Sequence, residues 1–220
     1  MPPLPHADAE VFAAGAPLAE APGAVVLLHG RGASAPSILT LADEFDRPDL
    51  AYLAPQAEGF TWYPHSFLAP LGANEPHLSG ALATLARVVE EIETRGITRD
   101  RIVLAGFSQG ACLASEFVAR NAGRWGGLAA LSGGLIGSAD DPETPGGKRF
   151  DYDGALDATP VFLGCSDRDP HIPKTRVETS AAVLGTMGAD VTLRLYPGLG
   201  HTVNTDEIDH VRQILRRLGT

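Results

Sequence analysis

Cysteine is nearly absent from this chain, and its scarcity removes several classes of protein at once. Cys112 and Cys165 are the only two among 220 residues. They form no Cys-x-x-Cys pair, and no His/Cys cluster has the spacing of a zinc site. Two buried, unbridged thiols are therefore expected, rather than a disulfide, a redox switch or a metal centre. Long apolar runs are also missing. The longest, such as Ala24 to Leu28, are strand-sized, far short of the roughly 20 residues that span a bilayer. The opening Met1-Pro2-Pro3-Leu4-Pro5 has neither a basic region nor an apolar core, so it does not read as a secretion signal. A cytoplasmic location without stable membrane insertion is the expectation. Positive charge is in deficit as well: 17 Lys and Arg face 27 Asp and Glu, a net charge of −10. Such a field repels nucleic acid and anionic lipid, so neither is an expected partner.

What is present is an alternation of short apolar runs with helical stripes. Ala24–Leu28, Leu50–Ala54, Arg101–Ala105, Gly127–Leu131, Pro160–Leu163 and Val191–Tyr196 read as buried strands; Glu10–Ala14 reads as an edge strand. Leu78, Leu82, Leu85, Val89 and Ile92 recur at spacings of four and three, and Gly96 ends the stripe. Val177, Ala181, Leu184 and Met187 form a second stripe. Ile208, Val211, Leu215 and Leu218 form a third, opened by a capping pair, Asn204 and Glu207, and closed by Arg216 and Arg217 at the negative end of the dipole. These stripes predict core packing. The pattern predicts one α/β domain over residues 1–220, a mostly parallel central sheet with helices on both faces and no separate lid domain. Two long loops, Gln56–His77 and Gly137–Ala158, interrupt it.

One short motif carries chemistry. Gly106-Phe107-Ser108-Gln109-Gly110 matches Gly-x-Ser-x-Gly, a pattern that chance alone can supply. Its context is informative, because it follows a strand and opens a helix running to about Asn121. A serine on that sharp turn presents its hydroxyl, and side chains at 106 or 110 would crowd the turn. Such a serine needs a base. Of seven histidines, His201 lies just after the last strand and before the last helix, at the carboxyl edge of the sheet that also presents Ser108. His29 reads as part of a turn, and His65 as a loop residue able to reach the site as a polar contact. The acid should follow the next-to-last strand, where Asp167 and Asp169 both stand. An acyl-transfer site also needs two N–H donors for the oxyanion. The backbone of Gln109 is one candidate, and that of Arg31 in Leu28-His29-Gly30-Arg31-Gly32 is the other. The Arg31 side chain itself reads as solvated.

With these elements placed, the chain resembles the phospholipase/carboxylesterase family of α/β-hydrolases, which includes bacterial carboxylesterases and acyl-protein thioesterases. Leu27 to Gly32 resembles its oxyanion loop, and Gly106 to Gly110 its nucleophile turn, including the Phe and Gln. Asp169-Pro170-His171-Ile172-Pro173 resembles its Asp-Pro-x-Val-Pro motif, which points to Asp169 as the acid, and Gly200-His201 matches the base position. The resemblance implies a small α/β-hydrolase fold and esterase or thioesterase activity on a small-molecule ester, with no metal or organic cofactor. The segment around Trp62 resembles the aromatic loop beside the family's acyl pocket but departs from it in Thr61 to His65 and Phe67 to Pro70. Trp62, Phe67, Leu68 and Leu135 are the expected apolar wall for an acyl group. The rival readings are a dienelactone-type or ring-cleavage-product hydrolase, which commonly uses cysteine where this chain has Ser108, and a non-catalytic binding module. Dehalogenase and epoxide-hydrolase chemistry would need aspartate at 108. A homodimer is compatible with such a fold, but no heptad or patch in the sequence argues for one.

Overall fold

The computed structural model describes residues 3–138 and 148–219. Seven strands form one sheet: β1 (Val11–Gly15), β2 (Ala24–Leu28), β3 (Ala51–Pro55), β4 (Ile102–Phe107), β5 (Gly127–Leu131), β6 (Pro160–Ser166) and β7 (Asp190–Tyr196). Their order is β1-β3-β2-β4-β5-β6-β7. Only β1 runs antiparallel, pairing with β3 at the edge; the rest are parallel. All seven expected strands are present, most of them shifted or extended by one to three residues; β7, expected to be buried, is instead the half-exposed strand at the other edge, because among the described residues it pairs on one side only, with β6.

The helices are α1 (Ala35–Leu39), α2 (Leu41–Glu44), α3 (His77–Thr94), α4 (Gln109–Arg120), α5 (Lys174–Thr186) and α6 (Thr205–Leu215). The stripes predicted α3, α5 and α6. The short α1 and α2 have too few turns to show a period, and went unseen. The fully buried strands read as unbroken apolar runs because each face of the sheet has its own core. Ala24, Val26 and Leu28 of β2 face α3, α4 and α5. Val25 and Leu27 face α1 and α6. The loop from Gln56 to His77 holds two short 3-10 turns, Glu58–Phe60 and Leu71–Asn74. Of the second expected loop, residues 139–147 lie outside the described residues. Lys148 and Tyr152 beyond them close onto Glu116 of α4, with the Lys148 ammonium 2.5 Å and 2.7 Å from the two carboxylate oxygens and the Tyr152 hydroxyl at 2.9 Å.

Two features of this topology position the site. The chain leaves β2 toward β3 on one side and returns to β4 on the other, so the strand order reverses between β2 and β4. The carboxyl ends of these neighbours, paired at Leu28 and Gly106, therefore open a crevice, the usual ligand position in such sheets. The start of α4 also packs directly on the end of β2. A Cβ at Gly110 would lie 2.1 Å from the Leu28 carbonyl oxygen, and one at Gly106 would lie 2.6 Å from the Gly110 backbone. Only glycine fits at either position, which is the physical content of the motif's two invariant letters.

Candidate active site

Ser108 stands on the turn between β4 and α4 with φ 56° and ψ −119°. That lies outside the regions L-residues normally occupy, a strain on the order of 1–3 kcal/mol. The turn is held from both sides. The Ser108 N–H donates to the Leu131 carbonyl at 3.0 Å, and its carbonyl accepts from Cys112 at 3.0 Å. The hydroxyl is thereby fixed at the crevice, 2.9 Å from His201 Nε2.

His201 follows β7, and its Nδ1 lies 2.7 Å from Asp169 Oδ2. An ionised carboxylate can only accept, so Nδ1 carries the proton and Nε2 presents its lone pair to Ser108. The Asp169 side chain is fully covered. Burial alone would raise its pKa, but the bonds from His201 and from the N–H groups of His171 and Ile172, at 2.8 Å and 3.0 Å, outweigh that and hold it below the usual carboxylate range. The imidazole packs between the rings of Phe107 and His171, each 4.8 Å away. Of the two aspartates left open by position alone, Asp169 meets His201. Asp167 instead accepts from Gly198 N–H at 2.8 Å and ties the loop that carries His201 to the end of β6.

The loop after β2 is built around His29, which is more than a turn residue. It is completely buried. Its Nε2 accepts from the Ala57 N–H at 3.1 Å, so Nδ1 carries the proton and donates to the Gly30 carbonyl at 2.8 Å. Burial holds the ring below its ordinary pKa, which keeps this neutral tautomer. In a planar trans peptide the N–H points opposite the carbonyl. Pinning Gly30 C=O, which also accepts from Ala33 at 3.1 Å, therefore fixes the direction of the Arg31 N–H. Among the described residues, neither the Arg31 nor the Gln109 N–H is taken up by a partner. The His29→Ala variant should lose roughly 10- to 100-fold in kcat with KM changed less than about threefold, because misdirecting a donor costs less than the 10²–10³ of deleting one. Steady-state kinetics check this; a loss confined to KM would contradict it.

The Gln109 side chain was not anticipated. Its carbonyl accepts from Trp62 N–H at 3.0 Å and its amide donates to the Tyr63 carbonyl at 2.9 Å, which staples the aromatic loop to the Ser108 turn. That loop departs from its expected use. Trp62 is fully buried, with its indole N–H donating to the His29 carbonyl at 2.9 Å. Leu135 is buried beside α5, its N–H on Ser180 Oγ. Neither residue, nor the half-buried Leu68, lines the cleft; Phe67 alone of the four expected wall residues does. The reason is that the indole and the Leu135 backbone are committed to core partners. The cleft, about 630 Å³, is lined instead by Tyr63, Phe67, Phe107, Ile172 and the polar side chains of Arg31, His65 and His171. The Arg31 guanidinium is not simply solvated. It donates to the carbonyls of Pro64, Tyr63 and His65 at 2.8–3.0 Å. Cys112 lies beneath the cleft, its thiol pushed up to about 12 by burial, and Cys165 is buried too; the two are unbridged.

Glu207 sits at the start of α6, where it and Asn204 form the expected reciprocal cap. Its side chain is completely buried and one carboxylate oxygen has no partner among the described residues. Burial raises its pKa from 4.5 to about 7, against the Asn204 bond and with a further push from Asp206. The folded chain thus holds this proton more tightly than the unfolded one. The stabilisation is fully present below pH 4.5 and is lost as the pH rises through about 7. Thermal melts should show the wild type losing stability across that window relative to Glu207→Gln. Parallel pH profiles would contradict this.

The family model described as phospholipase/carboxylesterase matches residues 8–218. A solved phospholipase/carboxylesterase from Dyadobacter fermentans is 40% identical, with a TM-score of 0.88 over 99% of each chain. Esterase PE8 is 27% identical, with a TM-score of 0.75 over 96% of this chain and 99% of its own. Acyl-protein thioesterase 1 of Gibberella zeae is 34% identical over 133 residues, 59% of this chain and 53% of that one. The chain spans about half the length of the curated relatives it matches. With the strand order, the strained serine turn and the match over residues 8–218 in agreement, the chain belongs to the phospholipase/carboxylesterase family of α/β-hydrolases.

Proposed function

We propose that this protein is a serine esterase that hydrolyses small carboxylic esters through an acyl-Ser108 intermediate. The observation that carries the reading is the unbroken chain Asp169–His201–Ser108, with bonds of 2.7 Å and 2.9 Å, opening onto the cleft. His201 Nε2 takes the Ser108 proton as Oγ attacks the ester carbonyl, while the N–H groups of Arg31 and Gln109 receive the developing oxyanion. His201 then protonates the leaving alcohol. In the second half it draws a proton from water, which attacks the acyl-enzyme, and Ser108 leaves with that proton. Asp169 orients the imidazole and stabilises its cation. No step calls on a metal or organic cofactor.

Thioesters and lysophospholipids undergo the same chemistry, and leaving group and acyl length decide among them. With Trp62 and Leu135 committed to the core, an acyl group meets Tyr63, Phe67, Phe107 and Ile172 in a cleft it shares with the polar Arg31, His65 and His171. A short acyl group is therefore favoured. A panel of p-nitrophenyl esters of rising acyl length, run beside acyl-thioesters and lysophospholipids, tests this. The expected result is an optimum at acetate to butyrate that disappears in Ser108→Ala. Failure to hydrolyse any ester, or hydrolysis unaffected by Ser108→Ala, would remove the esterase reading and favour a binding module.

A further inference from the structure

The chain as a whole is acidic, at net −10, yet the cleft beside Ser108 has the opposite character. Its lining contains one guanidinium, Arg31, and the imidazoles of His65, His171 and His201, with no aspartate or glutamate among them. Asp169, which meets His201 behind the cleft, is fully covered and already bonded to His201 and two amides. Arg31 also differs from five other arginines in what it touches. Arg47, Arg99, Arg120, Arg212 and Arg217 each meet a carboxylate. Arg31 bonds only neutral carbonyls among the described residues, so its charge is uncompensated. Three of its five donors are used, which leaves two.

This wall is rigid as well as cationic. Arg31 fixes three successive carbonyls of the 63–65 turn. Asn74, completely buried, accepts from His65 N–H at 2.9 Å and donates to the Ser66 carbonyl at 3.0 Å. His171 stands on the other side, its N–H on Asp169 and its ring edge-to-face with His201. A guanidinium held in place in the cleft of Ser108, flanked by the imidazoles of His65 and His171 and with no competing anion in the lining, supplies the elements of a carboxylate-recognition site.

We infer that the cleft selects esters that carry a carboxylate a few bonds from the scissile carbonyl, with Arg31 as the principal specificity residue and His65 and His171 as flanking donors. This inference rests on the esterase reading above. The carboxylate is drawn in by the local positive field and seated against Arg31, which lowers KM for the anionic substrate relative to a neutral one of equal shape.

The test compares matched pairs. Monomethyl succinate and methyl levulinate differ in whether the acyl group ends in a carboxylate or a methyl ketone. Acetoxyacetate and acetoxyacetone make the same comparison on the alcohol side. Hydrolysis is followed by base uptake near neutral pH. In at least one pair the anionic ester should lead by about tenfold or more in kcat/KM at low salt. The lead should shrink several-fold at about 0.5 M salt, where screening reaches about 4 Å, and should collapse toward unity in Arg31→Gln, mainly through KM. The salt response of the wild type reads the same interaction if Arg31→Gln does not fold. No anionic preference in either pair, or a preference indifferent to both salt and Arg31→Gln, overturns the inference. Ser108-dependent hydrolysis of p-nitrophenyl acetate in that same preparation would leave the esterase reading standing. Its absence would take both down.

Discussion

Replacing Ser108 by alanine should lower kcat for a simple ester by about 10⁶-fold, the scale seen when a triad nucleophile is removed, while leaving the fold intact. The hydroxyl's hydrogen bond is to His201 Nε2. The strained backbone at φ 56° is set by the Leu131 and Cys112 bonds and by the glycines on either side, none of which involves the side chain. Alanine accepts that conformation no worse than serine. The melting temperature should therefore move little, and activity and stability should separate cleanly. Kinetics on neutral esters, paired with a thermal melt, check both halves.

Asp169→Asn should cost about 10⁴-fold in kcat, with substrate binding nearly unchanged. The reason is geometric. Asp169 Oδ1 accepts from the N–H groups of His171 and Ile172, while Oδ2 accepts from His201 Nδ1. An asparagine keeps the first two bonds only by placing its carbonyl at Oδ1, which turns its NH₂ toward His201. The imidazole must then move its proton to Nε2, and it can no longer take one from Ser108. Asp167→Asn is the control. Its carbonyl can still accept from Gly198, so activity should stay within about fivefold of wild type. A pattern reversed between the two aspartates would reassign the acid.

The strands and the long helices were legible because burial on both faces writes continuous apolar runs, and amphipathic helices write a period. Ser108 was legible because the motif fell between β4 and α4, where the two close backbone approaches demand glycine. Asp167 and Asp169 could not be separated by position. Both follow β6, and only the acid motif and then the structure assign them to different partners. The cleft was least legible. Trp62 and Leu135 are as apolar as any pocket residue, and nothing in their spacing reveals that an indole N–H is spent on the His29 carbonyl or a backbone N–H on Ser180. The side chains of His29 and Gln109 act through tertiary hydrogen bonds, to Ala57 and to the 62–63 backbone, across 28 to 47 residues of sequence. Arg31 looked solvated because a lone exposed arginine usually is; its three carbonyl partners exist only once the 63–65 turn is folded against it.

The central claim is that Ser108 is a nucleophile activated by His201 and oriented by Asp169. Reaction with a fluorophosphonate, followed by intact-protein mass spectrometry and peptide mapping, tests it most directly, because it needs no knowledge of the substrate. The account predicts a single adduct on Ser108 in the wild type, none in Ser108→Ala, and much slower labelling of Asp169→Asn. An unlabelled wild type, or equal labelling of Ser108→Ala, would contradict it.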